Sequence, residues 1–351
     1  MSNTPREVMS QILNRVAPER FPTTASVFSV SSRLAGYTYE QFANLEPQEQ
    51  ADFEYNVVTK NGTDHLSGSM SGTLLTEALG GKIKFRDHGS PDVDEPLVSR
   101  VSDLDKIDIT RIRKYHHYEK SLDTTRRLFK MGGDVYNNYV HTWGIFTQAG
   151  LFFGEEHLMR ASLRDKSSVY ALLDFTFEVF KYTQEEFITA GATIGSCADP
   201  TASGDMISKR IFEEFAAPYM KKVHDWYKSQ NVATSLHICG NIDDRIDIIA
   251  NTNLDILSAD HKVDIVRAAK ILNGRVIIGG NADPVSIIMD RTPDDVRMFY
   301  EDLIEKLDGY PYIIMPGCSV PTSTAIQNVL AMVQVAHANK PSPYITPVAV
   351  S

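Results

Sequence analysis

The sequence predicts an α/β fold, and more narrowly a (β/α)8 TIM barrel that forms one domain over residues 1–351. In the C-terminal half, short apolar runs rich in β-forming residues alternate with amphipathic stretches, which is the pattern of βα units on a parallel sheet. Five such units follow one another, and three further strand-like runs precede them. The chain length suits a single barrel of this class. An open doubly wound sheet is the competing fold, but no GxGxxG motif follows an early strand.

The predicted elements follow the chain in order. The strands are expected at residues 24–30, 64–70, 137–143, 192–199, 233–240, 254–260, 275–281 and 312–318. The helices are expected at residues 166–182, 208–230, 243–252, 264–273, 292–307 and 323–338. Thr292 is predicted to cap the N-terminus of its helix, with Pro293 in the first turn. The stretch from about residue 80 to 114 is rich in Gly, Pro and charge, and we interpret it as an insertion over the barrel mouth.

Composition narrows the function classes. The formal net charge of -10 argues against nucleic-acid and anionic-membrane partners. Three cysteines in a chain of this length do not describe a disulfide framework. The charged N-terminus does not resemble a signal peptide, and no apolar run has the length of a membrane span. These features predict a soluble, cytoplasmic protein.

Candidate metal ligands stand where predicted strands end, and barrel enzymes keep their active sites at that face. His237 and Cys239 are two residues apart, so both side chains can face one ion. Cys318 follows a later strand in a Pro-Gly turn. One histidine and two cysteines suit Zn(II), and three ligands leave an exchangeable fourth position, as in catalytic sites. The alternative is that Cys239 and Cys318 are ordinary buried thiols.

Other polar residues at these strand ends have two interpretations each. Asp260 is either a fourth zinc ligand, displaced by substrate, or the N-cap of the next helix. Asp199 either positions substrate or caps its loop. Gly279, Gly280 and Asn281 suggest close approach of a ligand to the backbone, or a plain βα turn. Two further residues are not expected in the site: Cys197 is expected to pack in the core, and His224 to be a solvated surface histidine.

Several motifs together resemble the uroporphyrinogen decarboxylase superfamily. They are HICGN (237–241), SADHKVD (258–264), IIGGNADP (277–284) and MPGCSVP (315–321). Three more motifs resemble its corrinoid-dependent methyltransferase branch, typified by methylcobalamin:coenzyme M methyltransferase. These are ADPTASGDMIS (198–208), FEEFAAPYMKKV (212–223) and FTQAGLFFGEEHLM (146–159). The resemblance extends from about residue 146 to 338 and is weaker before that.

The resemblance implies a (β/α)8 barrel in which a His-x-Cys pair and a late Cys bind zinc. These positions correspond to His237, Cys239 and Cys318, and an additional carboxylate ligand corresponds to Asp260. The implied activity is zinc-dependent methyl exchange between a corrinoid protein and a thiol such as coenzyme M. Asp199 and the turn at residues 279–281 would line the mouth where the corrinoid docks. The chain has no D-x-H-x-x-G motif, so the corrinoid is expected on a separate protein.

The alternatives concern direction and substrate. The enzyme could instead transfer a methyl group from a methylthiol, methylamine or methoxy compound to a Co(I) corrinoid protein. A uroporphyrinogen decarboxylase is disfavoured, because the stretch resembling its arginine-rich loop (31–42) holds only Arg33. That decarboxylase also uses no metal, which would leave the three candidate ligands unexplained. A non-catalytic zinc or tetrapyrrole carrier is the hypothesis of another class.

Overall fold

The main sheet is parallel and curls into a barrel. The computed structural model describes residues 2–24, 37, 39–69, 72–84 and 91–346. Within that part, seven strands pair in the order β1-β4-β5-β6-β7-β8-β9. They are β1 (His65–Ser69), β4 (Asn137–Trp143), β5 (Ile194–Ala198), β6 (Ala233–Ile238), β7 (Ile256–Ala259), β8 (Ile277–Ala282) and β9 (Tyr312–Pro316). Two short antiparallel strands, β2 (Lys82–Lys84) and β3 (Asp92–Glu95), form a separate sheet.

Residues 22–24 connect the last strand to the first. Thr23 forms a parallel bridge with Ile314 of β9, and the backbone N–H of Asp64, just before β1, donates to the Thr23 carbonyl at 3.0 Å. These residues therefore occupy the eighth strand position and close the barrel. The strand predicted at 24–30 begins here, but residues 25–30 lie outside the described part of the chain.

Helices surround the barrel. They are α1 (Pro5–Leu13), α2 (Tyr39–Asn44), α3 (Pro47–Asn61), α4 (Gly72–Leu79), α5 (His116–Gly132), α6 (Ile145–Phe153), α7 (Glu155–Arg164), α8 (Lys166–Thr189), α9 (Lys209–Ile211), α10 (Ala217–Ser229), α11 (Ile246–Ile249), α12 (Ile265–Leu272), α13 (Pro293–Lys306) and α14 (Ile326–Ala338). A π-helical turn, Phe212–Ala216, joins α9 to α10. Among the helices described, none is both long and apolar enough to cross a bilayer.

The barrel interior has its own apolar cluster, separate from the larger core between sheet and helices. Five strands contribute to it, and α1 closes it with Met9 and Ile12. The strand residues are Tyr139, Ile194, Ile256, Ile277 and Ile313. All seven side chains are buried. Because α1 fills one end of the barrel with apolar side chains, a polar site can open only at the other end.

The strand predictions within the described residues agree with the structure to within a few residues at each end. The helix predicted at 292–307 is also confirmed, with Thr292 as its N-cap and Asp295 completing a capping box. The helix predicted at 243–252 is much shorter, since only Ile246–Ile249 is helical.

Two further side chains test the sequence interpretation. Cys197 is buried in the core between sheet and helices, as predicted. The prediction that His224 is a solvated surface histidine is wrong. Its side chain is 1% exposed, and Nδ1 lies 2.9 Å from the Thr252 carbonyl oxygen. The flanking charged residues suggested a surface position, but the inner face of α10 places His224 against the loop between α11 and β7.

The described part of the stretch from 80 to 114, residues 80–84 and 91–114, packs on the neighbouring helices. It contains β2, β3 and two 3-10 helices, Val101–Lys106 and Ile109–Lys114. Arg111 donates to the Leu79 carbonyl oxygen at 3.2 Å, and Arg113 donates to that of Tyr182 at 2.8 Å. These contacts support our proposal that the chain is a single domain. That this stretch covers the barrel mouth stays a proposal.

Candidate metal centre at the carboxyl ends of the strands

A polar layer lies above the apolar floor of the barrel. Residues two apart on a strand point to the same side of a sheet, so each floor residue is followed by another that faces inward. The polar residues at this level are His141 on β4, Ser196 on β5, Ser235 and His237 on β6, and Ser258 on β7, whereas β8 and β9 contribute Gly279 and Met315. The barrel therefore changes from apolar to polar toward the carboxyl ends of its strands.

His237, Cys239 and Cys318 meet in this layer. Their candidate ligand atoms all lie within 4.8 Å of one another. Nε2 of His237 is 3.1 Å from Sγ of Cys239, and the two sulfur atoms are 3.5 Å apart. Two sulfur ligands of a tetrahedral Zn(II), each about 2.3 Å from the metal, lie about 3.8 Å apart. The donor types and spacing therefore fit zinc with little movement.

The orientation of His237 is fixed by β7. Its Nδ1 lies 3.1 Å from the backbone carbonyl oxygen of Ser258 and 3.2 Å from the hydroxyl of the same residue. A carbonyl oxygen only accepts, so Nδ1 carries the proton and donates it. Nε2 is then unprotonated and directs its lone pair toward Cys239. Metal-binding histidines usually have such a partner on the second nitrogen.

The two cysteine sulfur atoms lie within hydrogen-bonding distance of each other, and each affects the pKa of the other. The hydrogen bond from Cys239 lowers the pKa of Cys318 to about 4, against the opposing effect of burial. The hydrogen bond with Cys318 and then burial raise the pKa of Cys239. Burial lowers the pKa of His237, but the contact with Cys318 outweighs it, so the pKa is raised overall. A lowered pKa at Cys318 favours its thiolate, which is the form that binds a soft cation.

Two glycines allow both cysteines to reach the cluster. Gly240 follows Cys239 with φ of 102°, and a Cβ there would lie 2.6 Å from Asp205 Oδ2. Gly317 precedes Cys318, and a Cβ there would lie 2.7 Å from the backbone nitrogen of His261. Only glycine permits these approaches without displacing the neighbouring loops.

Asp260 lies beside the three-residue cluster and is not one of its members. The side chain is almost fully buried, and Oδ1 accepts from the backbone N–H of Lys262 at 2.8 Å. Nδ1 of His261 is 3.1 Å from the same oxygen. The alternative that Asp260 caps the next helix is wrong, since Asp264 caps α12 by accepting from the backbone of Arg267. A role for Asp260 on the metal stays a proposal.

Asp199 is buried at the end of β5 and holds the start of α6. It accepts from the backbone nitrogen of Thr147 at 2.8 Å and from its hydroxyl at 2.6 Å. Burial raises the pKa of Asp199 to about 6, although these hydrogen bonds oppose the shift. These contacts of the carboxylate are with the protein itself, and contact with substrate stays a prediction.

The turn at residues 279–281 is crowded by neighbouring strands. A Cβ on Gly279 would lie 2.4 Å from Sδ of Met315, and one on Gly280 would lie 2.6 Å from the Ala259 carbonyl oxygen. The Asn281 amide donates to the carbonyl oxygens of Asp260 and Val263 at 3.0 and 2.9 Å. These contacts explain the residue types by packing, and the predicted corrinoid contact remains a prediction.

Sequence reasoning missed His141. It is solvent-accessible within the polar layer, yet desolvation by surrounding protein and then the electrostatic effect of His237 lower its pKa to about 4. The strand predicted at 137–143 could have pointed to His141, because alternation along a strand places Tyr139 and His141 on the same face. Without the tertiary structure, that face could not be assigned to the barrel interior.

Comparison with known proteins assigns this chain to a family. The family model described as uroporphyrinogen decarboxylase (URO-D) matches residues 4–339. The chain belongs to the uroporphyrinogen decarboxylase family. This membership agrees with the resemblance drawn from the seven motifs.

Relatives within the family have two kinds of name. A methylcobamide:CoM methyltransferase from Methanosarcina mazei is 27% identical over 95% of this chain and 97% of its own length. A uroporphyrinogen decarboxylase from a Synechococcus strain is 30% identical, but over 47% of this chain and 46% of its own length. A solved methyltransferase from Methanosarcina mazei superposes with a TM-score of 0.86 at 20% identity, covering 96% of this chain and 99% of that one. The last comparison establishes the shared barrel fold.

Proposed function

We propose that this chain is a zinc-dependent methyltransferase that exchanges a methyl group between a separate corrinoid protein and a small thiol. The observation that carries the proposal is the His237, Cys239 and Cys318 cluster at the carboxyl ends of the barrel strands. The near full-length similarity to a protein named methylcobamide:CoM methyltransferase supports the enzyme class and the two partners.

The three residues would hold Zn(II) through Nε2 and two sulfur atoms. Zinc bound there would supply a Lewis acid that keeps a substrate thiol deprotonated near neutral pH. The protein contributes the orientation of His237 through Ser258 and a floor that closes the lower end of the barrel. Two cysteine thiolates would balance the charge of the cation, and an incoming thiolate that displaced Asp260 would leave the net charge of the site unchanged.

The activity test uses free methylcobalamin in excess in place of the corrinoid protein. We expect the methylcobalamin absorbance band to fall when the protein and coenzyme M are both present, and to persist after zinc is removed by a chelator. Addition of methylated thiols, methylamines or methoxy compounds to cob(I)alamin tests the reverse direction. Metal-independent release of CO2 from uroporphyrinogen, with no methyl transfer in either direction, would contradict the proposal.

The purified protein should carry no bound corrinoid, because the sequence has no cobalamin-binding motif of its own. We therefore expect no absorbance in the visible region from the isolated chain, and activity at low corrinoid concentration only with a separate corrinoid protein. A stoichiometric pink or yellow chromophore that survives gel filtration would contradict a separate carrier.

Asp260→Asn tests whether this carboxylate exchanges on the metal. Zinc content should fall only slightly, because three strong ligands remain. The methyl-transfer rate should change by about tenfold or more, since a carboxylate beside the metal adjusts its charge. In the wild type, zinc-edge X-ray absorption should show that one oxygen ligand is lost when thiol binds. In the variant, this oxygen ligand should be absent both with and without thiol. A wild-type rate and an identical spectrum would remove Asp260 from the site.

A further inference from the structure

Two buried polar groups inside the barrel have no hydrogen-bond partner among the described residues. They are Nδ1 of His65 on β1 and the hydroxyl of Tyr139 on β4. The two side chains are 6% and 3% exposed. Buried polar atoms are nearly always paired, and an unpaired one calls for a bound molecule or a functional explanation. Both atoms belong to the barrel interior, below the metal cluster.

These groups form a continuous array with His141. The ring of Tyr139 stacks on that of His141, with centroids 5.8 Å apart, and its centroid is 4.7 Å from that of His65. Nε2 of His141 lies 3.4 Å from the Ser67 hydroxyl. His141 is the accessible member, so the array leads from the open mouth to the buried donors.

The array offers hydrogen-bond donors. Burial, followed by a smaller electrostatic effect of His141, lowers the pKa of His65 to about 3, and burial lowers the pKa of His141 to about 4. Lowered pKa values favour the neutral imidazoles. Each neutral imidazole has one N–H, and Tyr139 and Ser67 each have one O–H. A molecule in this space would therefore be recognised mainly through hydrogen-bond acceptors.

The distance from the metal cluster limits the length of that molecule. His141 is on β4 and His237 on β6, with only β5 between them. Strands two places apart have axes separated by about 10 Å, and both imidazoles project inward from them. A thiol whose sulfur contacts the cluster would need only a few further atoms to reach His141.

We propose that His141, with Ser67, His65 and Tyr139, forms a subsite that binds the polar tail of the thiol and thereby selects short thiols with an oxygen acceptor at the far end. This inference rests on the proposed function for the identity of the sulfur site. His141 is assigned as a specificity-determining residue that contacts the tail, and the two buried donors line the floor beneath it.

The test compares two thiols, each with free methylcobalamin as methyl donor. Coenzyme M has oxygen hydrogen-bond acceptors in its tail, and ethanethiol has none. His141→Phe keeps the ring and removes the hydrogen bond. We expect the KM for coenzyme M to rise about tenfold or more, which corresponds to one lost hydrogen bond, while the KM for ethanethiol and the zinc content stay unchanged. His141→Gln, which retains an N–H donor, should recover much of the loss.

Thr142→Val is the matched control, because it lies on the same strand and alternation points it away from the barrel interior. It should leave both KM values unchanged. An equal rise for both thiols in His141→Phe would show a structural role and overturn the proposal. Wild-type protein that does not distinguish the two thiols would overturn it as well.

Calorimetric binding of ethanesulfonate, which has the tail but no thiol, separates this inference from the proposed function. The wild type should bind it and His141→Phe should bind it at least about tenfold more weakly. Binding through His141 without methyl transfer to any thiol would refute the proposed function and keep the subsite. Methyl transfer without ethanesulfonate binding, or binding that His141→Phe does not weaken, would refute the subsite alone.

Discussion

Cys239→Ala should lose nearly all of the zinc and all measurable methyl transfer while the barrel remains folded. The wild type should hold about one zinc per chain, as a single three-ligand site does. Removal of a ligand should weaken zinc binding more than removal of a residue that only supports a ligand, which typically costs roughly 10- to 100-fold in metal affinity. The fold should survive, because the barrel core rather than the metal supplies the stability of a chain this long. Metal analysis after gel filtration and circular dichroism measure the two results.

Cys197→Ala provides the control for that experiment. Cys197 is also a buried cysteine, but it belongs to the core between sheet and helices, outside the cluster. Its replacement should lower stability modestly through lost packing and leave zinc content unchanged. Full zinc content in Cys239→Ala would mean that the metal is bound elsewhere, and loss of zinc in Cys197→Ala would make the first result nonspecific.

Asp64→Ala should produce a large loss of stability. Asp64 is fully buried, Arg20 donates to Oδ2 at 2.9 Å, and the backbone N–H of Thr23 donates to the same oxygen at 2.7 Å. These contacts join the residues that close the barrel to the start of β1. Removing one partner of such a buried ion pair costs about 3–5 kcal/mol. Equilibrium urea denaturation should show this as a lower midpoint.

Asp134→Ala is the comparison for Asp64→Ala. Asp134 also forms an ion pair, at 2.7 Å from Arg6, but its side chain is fully exposed. Solvent screens such pairs, so the midpoint should not change measurably. Asp64→Asn retains an acceptor for Thr23 and should fall between Ala and wild type. A similar midpoint for Asp64→Ala and wild type would show that this contact does not secure the closure.

The sequence predicted the positions of the strands well because β-rich apolar runs end in glycine, proline and small polar residues. The run at 137–143 coincides with β4, and that at 233–240 contains β6 and both His237 and Cys239. Spacing of two on a strand was enough to place these two side chains on one face. Nothing local could show that Cys318, 79 positions after Cys239, comes within 3.5 Å of it; only the ring order of parallel strands predicts that proximity.

The sequence by itself determined the α/β class, the strands, the three candidate ligands and the family resemblance, since each depends on local pattern or motif. Tertiary structure decided which charged and polar residues face inward. His224 is buried because α10 packs against a loop. Asp64 helps to close the barrel because residues 22–24 lie against β1 and β9. The tertiary structure also revealed His141, whose pKa depends on desolvation and on His237 two strands away. Burial and long-range proximity arise only when distant segments share one interior, so no local pattern encodes them.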